Sequence, residues 1–146
     1  MQIEIKIDSS CKEPKLILIT NKITNETNAI IKKLSDETPQ ILCGFHEDTV
    51  EILEQSDLIR IYSTAGKIFA VTDYGEYLLR LRLYELEERL DKNIFVRISN
   101  AEIINLKKVK SFDLRFSGTI CVTLSNDKVT YVSRRYVSKI KQILGI

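Results

Sequence analysis

Phe95-Val96-Arg97-Ile98-Ser99-Asn100-Ala101-Glu102-Ile103-Ile104-Asn105-Leu106-Lys107-Lys108-Val109-Lys110 is the stretch whose reading decides the fold. Phe95–Ile98 is a strand-length run rich in apolar and β-branched residues. Ser99-Asn100-Ala101 is a polar break of turn length. Glu102–Leu106 is a second strand, and three lysines follow it within four positions. Two short strands across a tight polar break predict an antiparallel pair.

The same pattern extends outward. Upstream, Ile41–Phe45, Thr49–Leu53, Leu58–Tyr62, Lys67–Val71 and Tyr77–Arg82 read as strands, separated by turns such as Ser63-Thr64-Ala65-Gly66 and Asp73-Tyr74-Gly75-Glu76. Leu83, Leu86 and Leu90 mark one face of a short acidic helix. Downstream, Phe112, Leu114 and Phe116 alternate as a strand. Ile120, Val122 and Leu124 then face Val129, Tyr131 or Val132 across a Ser-Asn-Asp turn, as a hairpin. Short strands at regular spacing predict a mainly β fold, α+β overall. After the hairpin comes Ser133-Arg134-Arg135-Tyr136. Ser133 suits a helix N-cap, and Val137, Ile140, Ile143 and Leu144 follow at helical spacing. Arg134 and Arg135 thus fall in a first turn, where cations are disfavoured by roughly 0.3–1 kcal/mol each. Arginines at a helix start can instead offer an anion a binding surface.

Residues 1–40 read differently. Ile3, Ile5 and Ile7 alternate with polar residues, Pro14–Thr20 is a second candidate strand, and Ile23–Leu34 has a helical apolar stripe capped by Thr24 or Asn25. The polar run Ser35-Asp36-Glu37-Thr38-Pro39 marks a boundary. The expectation is a β-β-α segment over 1–40, serving dimerisation or regulation, and a main domain over 41–146. A segment of this size is too small to fold well alone.

Bulk properties narrow the function. The 146 residues are 44% hydrophobic and 29% charged, ordinary for a globular protein. No apolar run approaches the ~20 residues of a membrane span, and the first residues lack a signal-peptide core, so a cytoplasmic protein is expected. Cys11, Cys43 and Cys121 are odd in number and scattered, which reads as reduced thiols. His46 is the single histidine and has no second imidazole for a metal. Nucleotide-binding glycine motifs and nucleophile elbows are missing, so the chain is read as a non-enzyme without cofactor or metal. The net charge of +2 conceals an asymmetry. Residues 1–91 hold 11 Lys+Arg against 17 Asp+Glu, or −6; residues 92–146 hold 11 against 3, or +8. A basic C-terminal third points to a polyanion bound by one end of the molecule. Lys67, Arg97, Asn100, Lys107, Lys108, Lys110, Arg134 and Arg135 all fall at or beside turns, and are expected to share one surface. Lysines would contact phosphates, while arginine and asparagine can also read base edges.

Phe95–Val109, taken with the preceding Leu83–Leu90 helix and the closing Ser133-Arg134-Arg135-Tyr136 segment, resembles the LytTR DNA-binding domains, whose signature runs Phe-x-Arg-x-His-Arg/Asn-Ser-x-Ile/Val-Val-Asn-x-x-x-Ile. The resemblance covers roughly 41–146. It implies an elongated antiparallel fold of about ten short strands with short helices, whose loops enter successive major grooves. It also implies base contacts by Asn100, Arg135 and Gly66 or Lys67; with these, phosphate contacts are expected from the basic and polar residues Arg97, Ser99, Lys107, Lys108, Lys110 and Arg134. Ser99 stands where the family often has histidine. Residues 1–40 are expected to be too short for a receiver domain, so the chain resembles short LytTR regulators, for which a small restraining membrane protein is an implied partner. The expected function is sequence-specific recognition of double-stranded DNA by a transcriptional regulator, as a homodimer on repeated sites. The alternatives are a single-stranded nucleic-acid binder on a small β barrel, with Phe112, Phe116, Tyr131 or Tyr136 as stacking platforms, and a protein-interaction adaptor.

Overall fold

The computed structural model of the protein describes residues 1–35 and 41–146. The chain divides into two compact units at Pro39 and Gln40. The polar boundary run at Asp36-Glu37-Thr38-Pro39 lies outside the described residues.

Among the described residues of the first unit, only the helix forms. α1 covers Asn25–Ser35. Thr24 starts it by a reciprocal exchange: the Thr27 amide donates to Thr24 Oγ1 at 3.3 Å, and the Thr24 amide donates to Thr27 Oγ1 at 2.7 Å. The two strands expected over 1–8 and 14–20 are not present. Both arms are irregular chain around a turn closed by Cys11 N–H donating to the Asp8 carbonyl at 3.1 Å. The physical reason is that alternation supplies a face but not a partner. An isolated pair of short strands is marginal in water.

The described residues of the second unit form ten strands, as the sequence predicts. β1 (Leu42–His46), β2 (Thr49–Leu53), β3 (Leu58–Thr64), β4 (Lys67–Thr72) and β5 (Gly75–Leu79) precede helix α2 (Leu83–Arg89). β6 (Phe95–Ser99), β7 (Glu102–Asn105), β8 (Val109–Asp113), β9 (Ile120–Leu124) and β10 (Val129–Val132) follow, and α3 (Arg134–Leu144) closes the chain. Seven strands form one antiparallel sheet in the order β2-β1-β5-β4-β3-β7-β6, and three form another, β10-β9-β8. The strand read over Tyr77–Arg82 ends at Leu79. That over Phe112–Phe116 ends at Asp113, leaving Leu114 and Phe116 outside it and exposed.

The larger sheet is covered on both faces where β3, β6 and β7 lie. On one face Leu58, Ile61, Leu79, Phe95 and Ile103 meet Leu83, Leu86 and Leu90 at α2. On the other, Ile59, Val96, Ile98 and Ile104 meet Ile120, Val122 and Leu124 of the small sheet, together with Val132 and Ile140. All four residues of β7 are consequently buried. Its polar ends are both partnered. Glu102 lies 3.3 Å from Arg60 Nε and accepts from Thr130 Oγ1 at 2.7 Å, tying the two sheets together. Asn105, 1% exposed, donates from Nδ2 to the Leu58 carbonyl at 2.8 Å and accepts from the Lys107 amide at 2.9 Å.

Asn105 is therefore a joint between three segments. Asn105→Ala is expected to destabilise the domain by about 1–3 kcal/mol, because it strips two bonds from a site water does not reach. Urea unfolding checks this: the midpoint should fall with the slope unchanged.

Candidate nucleic-acid interface

The strands have two ends, and the turns sort between them. At one end lie the β3–β4 turn and the β6–β7 turn. They are tied together by Ser63 N–H donating to the Ala101 carbonyl at 2.8 Å. Ala65 and Gly66 both have positive φ, at 50° and 76°, in a two-residue turn that opposes Thr64 to Lys67. This left-handed pair matches the twist of the flanking strands and leaves Lys67 on the rim of the turn. Lys67 and Asn100 line one groove of about 480 Å³, with Gly66, Arg80 and Arg82.

Asn100 is exposed in its turn. Its Oδ1 accepts from Tyr136 Oη at 3.3 Å, which brings the first turn of α3 beside the β6–β7 turn. A carbonyl oxygen has two lone pairs and the amide nitrogen two donors, so the Asn100 amide remains free for a bidentate contact. α3 begins as the sequence predicts, with Ser133 at the N-cap. The Ser133 side chain makes no capping bond; its amide instead donates to the Ile98 carbonyl at 2.8 Å. That bond fixes the helix start against β6. Arg135 is exposed, its guanidinium carbon 5.9 Å from the centre of the Tyr136 ring. Arg134 lies along the β8–β9 loop, against Gly118. A Cβ at Gly118 would stand 3.0 Å from Arg134 Nε, and Gly118 is at φ 71°.

Arg97 and Ser99 sit in the same corner but face inward. Arg97 pairs with Glu87 of α2, and it donates to the carbonyls of Ser99 and Asn100 at 2.7 Å each. Ser99 Oγ accepts from the Ala101 amide at 3.1 Å. Both side chains therefore hold the shape of the Asn100 turn. The lysine run is elsewhere, so the expectation of one shared surface does not hold. β7 carries the chain away from Asn100 by about 13 Å at ~3.3 Å per residue before Lys107 is reached. At that far end Lys108 lies 3.8 Å from Asp73, and Lys110 is bonded to Asp127. The reason is the strand itself. Residues close in sequence on either side of a strand are held at its opposite ends.

Pairing separates the cations in part, since among the described residues Lys107 of the far end also lacks an ion pair. Arg60, Arg97, Lys108, Lys110 and Arg115 each have a carboxylate. Arg115 holds the Asp113 carboxyl down to about 2, chiefly through side-chain hydrogen bonds. Among the described residues, no ion pair engages Lys67, Arg80, Arg82, Arg134 or Arg135. Arg80 and Arg82 escape a sequence reading because they look like the tail of a strand. The clue was available in the next residues: Arg82 stands at the cap of α2, where its amide donates to Glu85 Oε1 at 3.2 Å. Arg80 rests over the Phe45 ring at 4.1 Å.

The features suited to chemistry are sparse. Among the described residues no group of His, Cys, Asp and Glu could hold a metal ion. His46 ends β1 with its ring 5.8 Å from that of Tyr77. All three cysteines are free, and Cys11 and Cys43 are exposed. No helix of the described residues is long and apolar enough to cross a membrane.

Known proteins place this arrangement. An uncharacterised HTH-type transcriptional regulator of Staphylococcus aureus (strain NCTC 8325 / PS 47) is 31% identical over 147 residues, spanning 100% of this chain and 99% of that protein. Its counterpart in strain MRSA252 is 30% identical over the same span. Their name carries a helix-turn-helix label, whereas successive described α-helices of this chain are separated by five strands each. Among solved structures, the chain is similar to the LytTr DNA-binding domain of a Bacillus cereus protein described as a methyl-accepting/DNA response regulator. The TM-score is 0.70 at 20% identity, over 73% of this chain and 98% of that one, a likeness of fold. The family model of the LytTr DNA-binding domain matches residues 48–145. Together with the fold, this shows that the chain belongs to the LytTR family of DNA-binding domains.

Proposed function

We propose that residues 41–146 recognise double-stranded DNA sequence-specifically and so regulate transcription in the cytoplasm, as a dimer on repeated promoter sites. The β3–β4 turn, the β6–β7 turn and the start of α3 enter successive major grooves. Asn100, Arg135 and Lys67 read base edges, and Arg134, Arg80 and Arg82 take phosphates. The observation that supports this most is the Tyr136–Asn100 contact. It joins turns 36 residues apart at an end where, among the described residues, Lys67, Arg80, Arg82 and Arg135 have no ion pair. A cation already neutralised inside the protein has less to gain from a phosphate than one left in water. Arg97 and Ser99 then act by shaping the Asn100 turn. Lys107, Lys108 and Lys110, at the far end, fall outside this interface.

One observation favours the single-stranded alternative. Phe116 and Tyr131 are 44% and 53% exposed and meet edge to face, with ring centres 6.1 Å apart. Bases stack on open ring faces in such binders, and an edge-on pair obstructs one of them. Competition of duplex against single strand of the same sequence decides between the readings.

Duplexes selected from a random pool provide the probe. Arg135→Ala should weaken the selected site by about 1–3 kcal/mol and relax preference at one base pair. An unchanged ratio of specific to random affinity removes the base-reading role. Tyr136→Phe deletes only the hydroxyl that orients Asn100; a smaller loss, about 0.5–1.5 kcal/mol, should fall on the base pair that Asn100→Ala also affects. Arg134→Ala should lower the slope of log affinity against log salt by about one unit, and Lys108→Ala should leave it nearly unchanged. Equal slopes for the two variants would place phosphates at both ends of the strands.

A further inference from the structure

The first unit exposes apolar side chains on a scale that its own chain does not cover. Ile3, Ile5 and Ile7 are 87%, 85% and 94% exposed, and Leu16 and Ile19 are 81% and 90% exposed. Among the described residues, no strand pairs with either arm. The first arm is nonetheless written as a strand. Isoleucine alternates with Gln2, Glu4, Lys6 and Asp8. We infer that this arm pairs antiparallel with the same arm of a second copy of the chain, about a two-fold axis through Ile5.

The register follows from charge. With the axis at Ile5, each Ile5 meets its copy and Ile3 meets Ile7 of the second copy. Glu4 meets Lys6 of the second copy, twice over by symmetry, because an isologous contact repeats every pair. Cross-strand neighbours of opposite charge stabilise and like charges oppose. Moving the axis to Glu4 sets Glu4 against Glu4, and moving it to Lys6 sets Lys6 against Lys6. A one-residue slip turns the isoleucines onto the wrong face. Among these, only the Ile5 axis satisfies the apolar and the charged rows together.

Two paired strands alone are marginal, and a sheet of three or more strands backed by a helix is stable. The second arm, Leu16–Ile19, flanks the pair on each side, and α1, whose Leu34 is 49% exposed, covers the sheet. The β-β-α segment legible in the sequence then exists in the dimer. This names the interface of the dimer proposed above and rests on that reading for its purpose.

Sedimentation equilibrium of the full chain without DNA tests the pairing. Glu4→Lys alone and Lys6→Glu alone should each weaken dimerisation by about fivefold to thirtyfold, since each makes both symmetric pairs repulsive. The double variant E4K/K6E restores opposite charges and should return to within about twofold of the original chain. A chain that stays monomeric, single variants that dimerise normally, or a double variant no better than the singles overturns the inference. Binding to one selected half-site duplex is measured in parallel. Half-site binding that is intact in a monomeric chain overturns the pairing and leaves the DNA reading in place. Dimerisation that follows the charge swap, without preference for any selected duplex, does the reverse.

Discussion

Everything in the main domain depends on a four-residue strand that is out of water on both faces. β7 gives Ile103 to one core and Ile104 to the other, so neither core closes without it. A strand in that position has no wet side on which to leave a polar group. Its two polar residues lie at its ends and each meets partners there, although Arg60 Nε and Glu102 Oε2 face each other at 3.3 Å as an ion pair without a hydrogen bond. Glu102 finds Arg60 and Thr130, and Asn105 finds the Leu58 carbonyl and the Lys107 amide. Burial of a polar group is costly only when it goes unpaired. Here the pairing also determines placement, because each partner belongs to a different segment.

That placement extends to the surface. Arg60 and Glu102 sit beneath the end at which Ser63 is bonded to Ala101, so the two exposed turns share a common floor. Arg97 then braces the Asn100 turn from the α2 side, and Tyr136 holds Asn100 from the α3 side. Arg97 thus holds the backbone of this exposed asparagine, and Tyr136, at 3.3 Å from Oδ1, stands beside its side chain. Lys67, Arg80 and Arg82 line the groove that Asn100 shares, and among the described residues neither they nor Arg134 and Arg135 of the α3 start have an ion pair, which leaves these cations available to a polyanion.

The fold was legible where local pattern and tertiary environment agree. Ten strands, the Leu83–Leu90 helix and the helix after Ser133 could be read from periodicity and capping alone. Leu114 and Phe116 were misread because alternation continues past the point where β8 loses its neighbour. The first arm alternates equally well and the second is a continuous apolar run, yet neither forms a strand, since pairing is not a property of one segment. For the proposed site, family pattern nominates Asn100 and Arg135. Arg97 was found with its surroundings unknown: sequence shows a cation near a turn, but not that the turn's own carbonyls claim it. The lysines after β7 show the same limit from the other side. Six positions separate Ser99 from Asn105, and that short chain distance is a full strand in space.

The turn at Ala65 and Gly66 carries one more consequence. Two residues with left-handed backbone between paired strands leave no slack, and the Asn100 turn, with bonds on both sides, has little more. Tips this rigid hold a fixed span. In a complex of the kind proposed, any mismatch with groove spacing falls on the duplex, whose willingness to bend differs from step to step. Base pairs that no side chain touches then contribute to selectivity through their flexibility.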